Sequence, residues 1–163
     1  MGIAAGTASF GVLASAPIVA ERVTVGRDTR WRRAAAGVTN AGVEWEFATG
    51  ATAWTGTAER QGELVVTNVS DRDTRVTVTS YVTRPGYMGG SRGFSFEVAV
   101  PANRVTRIPF VREHDAPAAF IADDWISVKS LDGTPIIVER THTWAIDGVS
   151  RAGASSIIGN VIR

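Results

Sequence analysis

Apolar and polar residues alternate with a period of two through most of the middle of the chain. Glu63 to Val69 (ELVVTNV), Thr74 to Thr83 (TRVTVTSYVT), Gly93 to Val100 (GFSFEVAV) and Asn103 to Val111 (NRVTRIPFV) are short and rich in Val, Thr and aromatic residues. That alternation predicts half-buried strands. In Thr74 to Tyr81, Val76, Val78 and Ser80 share one face and Thr77, Thr79 and Tyr81 the other. The Val76 and Val78 face belongs to the core, because the opposite face is hydroxylated. Between the strands, Asn68 to Asp73 (NVSDRD) predicts a tight hairpin, Arg84 to Gly90 (RPGYMGG) a longer loop and Pro101 to Asn103 a turn. Turn signals at intervals of about 8–12 residues are those of an antiparallel sandwich or barrel. Helix is scarce: residues 30–36, within RWRRAAAG, predict one short helix, and Ala116 to Ala122 a single turn behind Pro117.

The same pattern occurs twice. PIVAER runs from Pro17 to Arg22 and PIIVER from Pro135 to Arg140, preceded by FGVLAS (Phe10 to Ser15) and WISVKS (Trp125 to Ser130). Gly-rich stretches follow both, at Gly37 to Gly42 and at Gly153 to Gly159. An internal repeat marks a modular unit, here a strand pair with its turn. The first copy could be read as a secretory leader, since Ile3 to Ala20 is apolar and Ala14-Ser15-Ala16 has the form of a cleavage site. Two observations oppose this: no Lys or Arg precedes the apolar stretch, and the segment recurs inside the chain. The chain has no unpunctuated apolar run of about 20 residues, so membrane insertion by a helix is not expected.

Taken in order, WEFATGAT (Trp45 to Thr52), ELVVTNVSDRDTRVTVTSY, FEVAVPANRVTRIPF, SVKS and PIIVER resemble a β-sandwich repeat of uncharacterised role found in tandem in large secreted or surface bacterial proteins. Its W-x-F-A-x-G-x-T segment opens the module and P-I-V-x-E-R nears its end. The likeness covers residues 37–160 and brings no catalytic residue with it. It implies an extracellular or cell-surface location. The chain departs from the pattern by starting in the closing half of a repeat, so residues 1–36 are expected to hold the closing hairpin of a partial copy and residues 37–163 a complete module. An orphan hairpin is not stable alone in water. Either it packs on the module, with Gly37 to Gly42 as linker, or it fills the equivalent place in another chain by strand donation.

Composition narrows the function classes. The 163 residues suffice for one substantial core, and 44% apolar with 20% charged residues is ordinary for a globular chain. A net charge of +1 lacks the cationic field of a nucleic-acid binder. Cysteine is absent, which removes disulfides, thiolate metal sites and thiol nucleophiles. Lys129 is the only lysine among the basic residues.

Candidate chemistry is thin. His114 lies between Glu113 and Asp115 in an expected loop, and His142 between Thr141 and Thr143 in an expected strand; one such cluster is too few ligands for a metal. Asp71-Arg72-Asp73 and Asp123-Asp124 lack the spacing that wraps calcium, and no G-x-S-x-G elbow occurs. No catalytic residue, metal site or cofactor is expected, and the chain does not read as an enzyme.

The doublets Glu21-Arg22 and Glu139-Arg140 are the structural candidates. Neighbours in a strand face opposite ways, so each doublet must meet other partners: surface cross-strand salt bridges, or an inward member pinned by hydrogen bonds that fixes register. Trp31, Trp54, Tyr87 and Trp144 are candidate ligand-contact aromatics, either stacking a polysaccharide or closing the ends of the core. Arg27 and Arg30 to Arg33 could form an anion-contact patch, against which the small net charge argues.

The expectation is therefore an all-β, immunoglobulin-like antiparallel β-sandwich with an additional N-terminal hairpin. It would act as a non-catalytic structural or adhesive module of an exported bacterial surface protein. Its partners would be copies of itself, through strand exchange, or neighbouring repeat modules. The alternative is a carbohydrate-binding module using exposed aromatics.

Overall fold

The computed structural model describes residues 11–25, 32–48, 58–82, 92–110, 125–146 and 152–162. They form eleven strands: β1 (Glu21–Val25), β2 (Arg32–Ala36), β3 (Glu44–Ala48), β4 (Ala58–Asn68), β5 (Thr74–Val82), β6 (Arg92–Val100), β7 (Val105–Phe110), β8 (Trp125–Ser130), β9 (Ile136–Ile146), β10 (Ala152–Ile158) and β11 (Asn160–Val161). One sheet has the order β10-β9-β4-β7, a second β11-β3-β8-β5-β6, and β1 with β2 makes a separate hairpin. All pairings are antiparallel.

The two large sheets meet in one core. Leu64, Val66, Ile108, Ile136 and Val138 come from the first, and Trp45, Phe47, Val76, Val78, Val100, Ile126 and Val128 from the second. The period-two pattern is met on β5, where Val76, Val78 and Ser80 are buried while Thr77 and Thr79 are half-buried. The outer face of the second sheet is polar. Thr79 and Ser95 hydroxyls pair at 2.8 Å, Arg75 Nε meets Glu97 Oε2 at 3.0 Å, and Lys129 Nζ meets Glu44 Oε2 at 3.0 Å.

Consecutive strands repeatedly change sheets, and this corrects the hairpin expected at Asn68 to Asp73. β4 and β5 belong to different sheets, so this turn is an arch across the core. The buried Asn68 side chain makes the arch. Its Nδ2 donates to Arg72 O (2.8 Å) and Val100 O (3.1 Å), and its Oδ1 accepts from Ser70 N (2.9 Å) and Ser70 Oγ (2.8 Å). A buried amide with both donors and its acceptor engaged fixes the path of the chain.

The arch from β8 to β9 is built on Asp132. Its Oδ1 accepts from Thr74 Oγ1 (2.7 Å), Thr134 N (3.0 Å) and Ser130 Oγ (3.0 Å), and these donors hold the carboxyl well below the usual carboxylate range. Gly133 follows at φ 76°, a conformation that glycine adopts without steric cost. Near the start of β9, where Gly159 N donates to Val138 O, Gly159 passes the chain from β10 to β11. A Cβ there would lie 2.8 Å from Phe47 Cζ, so only glycine lets the backbone cross against that ring.

Trp45 closes the sandwich. Its indole is fully buried, and Nε1 donates to Ile136 O (2.9 Å) and Gly42 O (3.3 Å). Gly42 and Ile136 also exchange both backbone hydrogen bonds, at 2.9 and 2.8 Å. The residue that opens the W-x-F segment is thus bonded to the first isoleucine of PIIVER, joining the two sheets.

Two expectations near the start of the chain are corrected. The helix over residues 30–36 is not formed: Arg32–Ala36 is strand β2, paired with β1 from Glu21↔Ala36 to Val25↔Arg32. So short an Ala-rich stretch cannot offset helix nucleation by itself, whereas β1 offers it a full ladder. Nor do Phe10 to Val25 form a closing hairpin, since residues 11–20 contain no strand. The reason lies in the connection. Between WISVKS and PIIVER stand the four residues LDGT, which carry the Asp132 arch; between FGVLAS and PIVAER stands only Ala16. Two Cα steps reach at most about 7 Å, short of the roughly 10 Å between packed sheets. The first copy lacks both the span and the aspartate.

Trp45→Phe should cost about 2 kcal/mol through a lost hydrogen bond and a smaller ring, lowering Tm by about 4–8 °C. Thermal unfolding followed by circular dichroism checks this; an unchanged Tm would show that the indole does not join the sheets.

Candidate functional site: the docked hairpin and the segment before it

The two doublets meet each other. On β9, Glu139 and Arg140 face opposite ways and both are buried, at 7% and 6% exposure. Arg140 lies opposite Leu64 of β4 and Ile157 of β10, on the face that carries Ile136 and Val138. Glu139 lies on the outer face, opposite Val65. There its Oε1 accepts a hydrogen bond from Arg22 Nη2 on β1. The basic residue of PIVAER therefore pairs with the acidic residue of PIIVER. Glu21 is exposed.

The surface under the hairpin is prepared for a cation. Glu63 Oε1 accepts from Arg107 Nη1 (2.6 Å) and from Thr141 Oγ1 (3.2 Å), so the neighbouring carboxylate on this face is already engaged with β7 and β9. That leaves Glu139 to receive Arg22. The hairpin is further held where Gly37 N donates to Ala20 O at 2.9 Å, and β2 runs alongside β10. Beyond β2, the expected linker is anchored: Val38 packs on the core and Gly42 bridges to Ile136.

The hairpin presents apolar residues outward. Val23 and Val25 are exposed at 60% and 46%, and before them Val12, Leu13, Ile18 and Val19 are exposed as well. Residues 11–20 are exposed throughout.

Trp31, Trp54, Tyr87 and His114 lie outside the described residues, as do Arg27, Arg30 and the turn expected at residues 116–122. Trp144 stands on β9 in register with Arg60 and Gly153, and His142 with Gly62 and Ser155. Arg32 and Arg33 belong to β2 opposite Val25 and Thr24. Among the described residues no group of three or more His, Asp or Glu side chains is placed to hold a metal ion.

Sequence reasoning missed Asn68 and Asp132 as the makers of the arches, although Asp132-Gly133 is a turn signal in its own right. It also missed the pairing of Arg22 with Glu139, 117 residues apart. The repetition of the doublet was the one available signal.

No protein-family model matches the chain, and no curated protein matches it. Among solved structures, the chain is similar to Thermotoga maritima 1070, with a TM-score of 0.56 and 12% identity over 76% of this chain and 97% of that one. A second similarity is to the Anabaena sensory rhodopsin transducer, with a TM-score of 0.42 and 23% identity over 69% and 95% of the two chains. The first of these shows a shared β-rich fold.

Arg22→Ala removes the hydrogen-bonded ion pair between Arg22 and the buried Glu139. With Arg22 itself 41% exposed, the expected loss is about 1–2 kcal/mol, below that of a fully buried pair. A double-mutant cycle with Glu139→Gln, read by denaturant unfolding, should show a coupling of about 1 kcal/mol; strictly additive losses would mean that the two residues do not interact.

Proposed function

We propose that this chain is a non-catalytic structural or adhesive module with an immunoglobulin-like sandwich, that it belongs to an exported bacterial surface protein, and that it self-associates by strand exchange. The observation that carries this reading is the exposed run of residues 11–20, four of them large and apolar, held beside a finished sandwich by the Arg22–Glu139 pair. A segment of that kind gains from a second surface, because burying apolar area is favourable by about 25 cal/mol per Å². The likeness of residues 37–160 to a tandem surface repeat supports the cellular setting. A carbohydrate-binding role would rest on Trp31, Trp54, Tyr87 and Trp144, of which only Trp144 lies among the described residues.

Size-exclusion chromatography with light scattering on the intact chain is the test. A self-associating module gives species at multiples of 17.3 kDa that grow with concentration, and it leaves a glycan array blank. A single 17.3 kDa species at every concentration, or saturable binding to one glycan class, would overturn the reading.

A further inference from the structure

The docked hairpin lies with its apolar side outward. Along β1, Glu21, Val23 and Val25 are exposed while Arg22 and Thr24 are half-buried; along β2, Ala34 and Ala36 are exposed while Ala35 is half-buried. The ladder joins the exposed positions into one face, since Glu21 stands opposite Ala36, Val23 opposite Ala34 and Val25 opposite Arg32. An antiparallel sheet with one face on the protein ordinarily turns its polar face to water. Here the order is reversed, and the ion pair of Arg22 with Glu139 is the cause. With Arg22 committed to the body, the period of two sends Val23 and Val25 the other way.

That outward face is complementary to itself. Glu21 belongs to the cross-strand pair at one end of the ladder and Arg32 to the pair at the other, each beside an apolar partner, with Val23 and Ala34 between them. A second copy turned end for end, about a two-fold axis lying across the strands, brings Glu21 of each chain to Arg32 of the other. The same turn sets Val23 beside its own copy at the centre. Side chains as small as Ala and Val let two such hairpins approach closely, and the opposite charges at the two ends select a copy of this chain as the occupant.

We propose that two copies of the chain pack these hairpin faces against each other as a two-fold pair, with Val23 and Val25 between them and a Glu21–Arg32 contact at each end. Burial of the apolar positions supplies the affinity, and the charges fix the end-for-end orientation. No strand leaves its own sheet in this contact. A two-fold contact closes on itself and makes pairs, which strand exchange at another surface would join into larger species. The proposal rests on the self-association reading and names a surface for it.

Light scattering across a concentration series, on the intact chain and its variants, tests this. The parent should pass through a species of twice 17.3 kDa. Val23→Glu, at a position already exposed, should keep the circular dichroism of the folded parent while weakening association about tenfold or more, since it sets two carboxylates at the centre of an apolar contact. Glu21→Arg and Arg32→Glu each place like charges at both ends and should each weaken association about fivefold or more. An equimolar mixture of those two variants meets opposite charges at both ends, and should associate as the parent does. Association untouched by Val23→Glu, or a mixture that associates no better than its separate variants, would overturn the hairpin contact while leaving self-association through another surface intact. A parent chain that stays at 17.3 kDa at every concentration would overturn both.

Discussion

The bond from the Trp45 indole to Ile136 O is the contact on which the rest of the sandwich depends. Trp45 comes from the second sheet and Ile136 from the first, and the paired backbone bonds of Gly42 with Ile136 run beside it. An indole N–H withdrawn from water must find an acceptor. Here it takes a carbonyl of the opposite sheet, so hydrophobic burial and hydrogen bonding set the same distance between the layers. Phe47, next inward-facing on β3, continues the wall against which Gly159 makes its crossing. The neighbouring connections follow from the same constraint. A chain that changes sheets must cross the layer spacing with its polar groups satisfied, and Asn68 and Asp132 do this.

Much of the sheet structure was legible because it is local. The alternation in TRVTVTSY placed Val76 and Val78 in the core, and the strands around β4 to β7 fell within a few residues of their expected ends. What could not be read was which strands share a sheet. Asn68 to Asp73 has the residues of a hairpin turn, yet Asn68 is buried and reaches Val100, a partner that no local pattern announces. The short Ala-rich stretch at Arg32–Ala36 failed for a related reason: its helix propensity is a weak preference, and pairing with β1 overrides it. The candidate site was half legible. Arg22 and Glu139 both belong to the Glu-Arg doublets visible in the sequence, but their pairing depends on how the hairpin lies on the sheet.

The two similar segments take different structures from their contexts. PIIVER enters the core because the Asp132 arch delivers it from one sheet to the other. PIVAER has the same residues with a single alanine before them, and its strand begins only at Glu21. The two segments are similar in sequence and differ in structure. This difference leaves residues 11–20 outside, and Glu139 of PIIVER receives Arg22 of PIVAER.

Amide hydrogen exchange of the intact chain at low concentration tests this most directly, since each amide reports the free energy of opening at its own position. The account predicts that the hydrogen-bonded amides of residues 136–140 are protected up to the global stability, while those of residues 11–16 exchange at the rate of an unstructured chain. Comparable protection of the two stretches would contradict it, because both copies would then be built into a sheet of the same molecule.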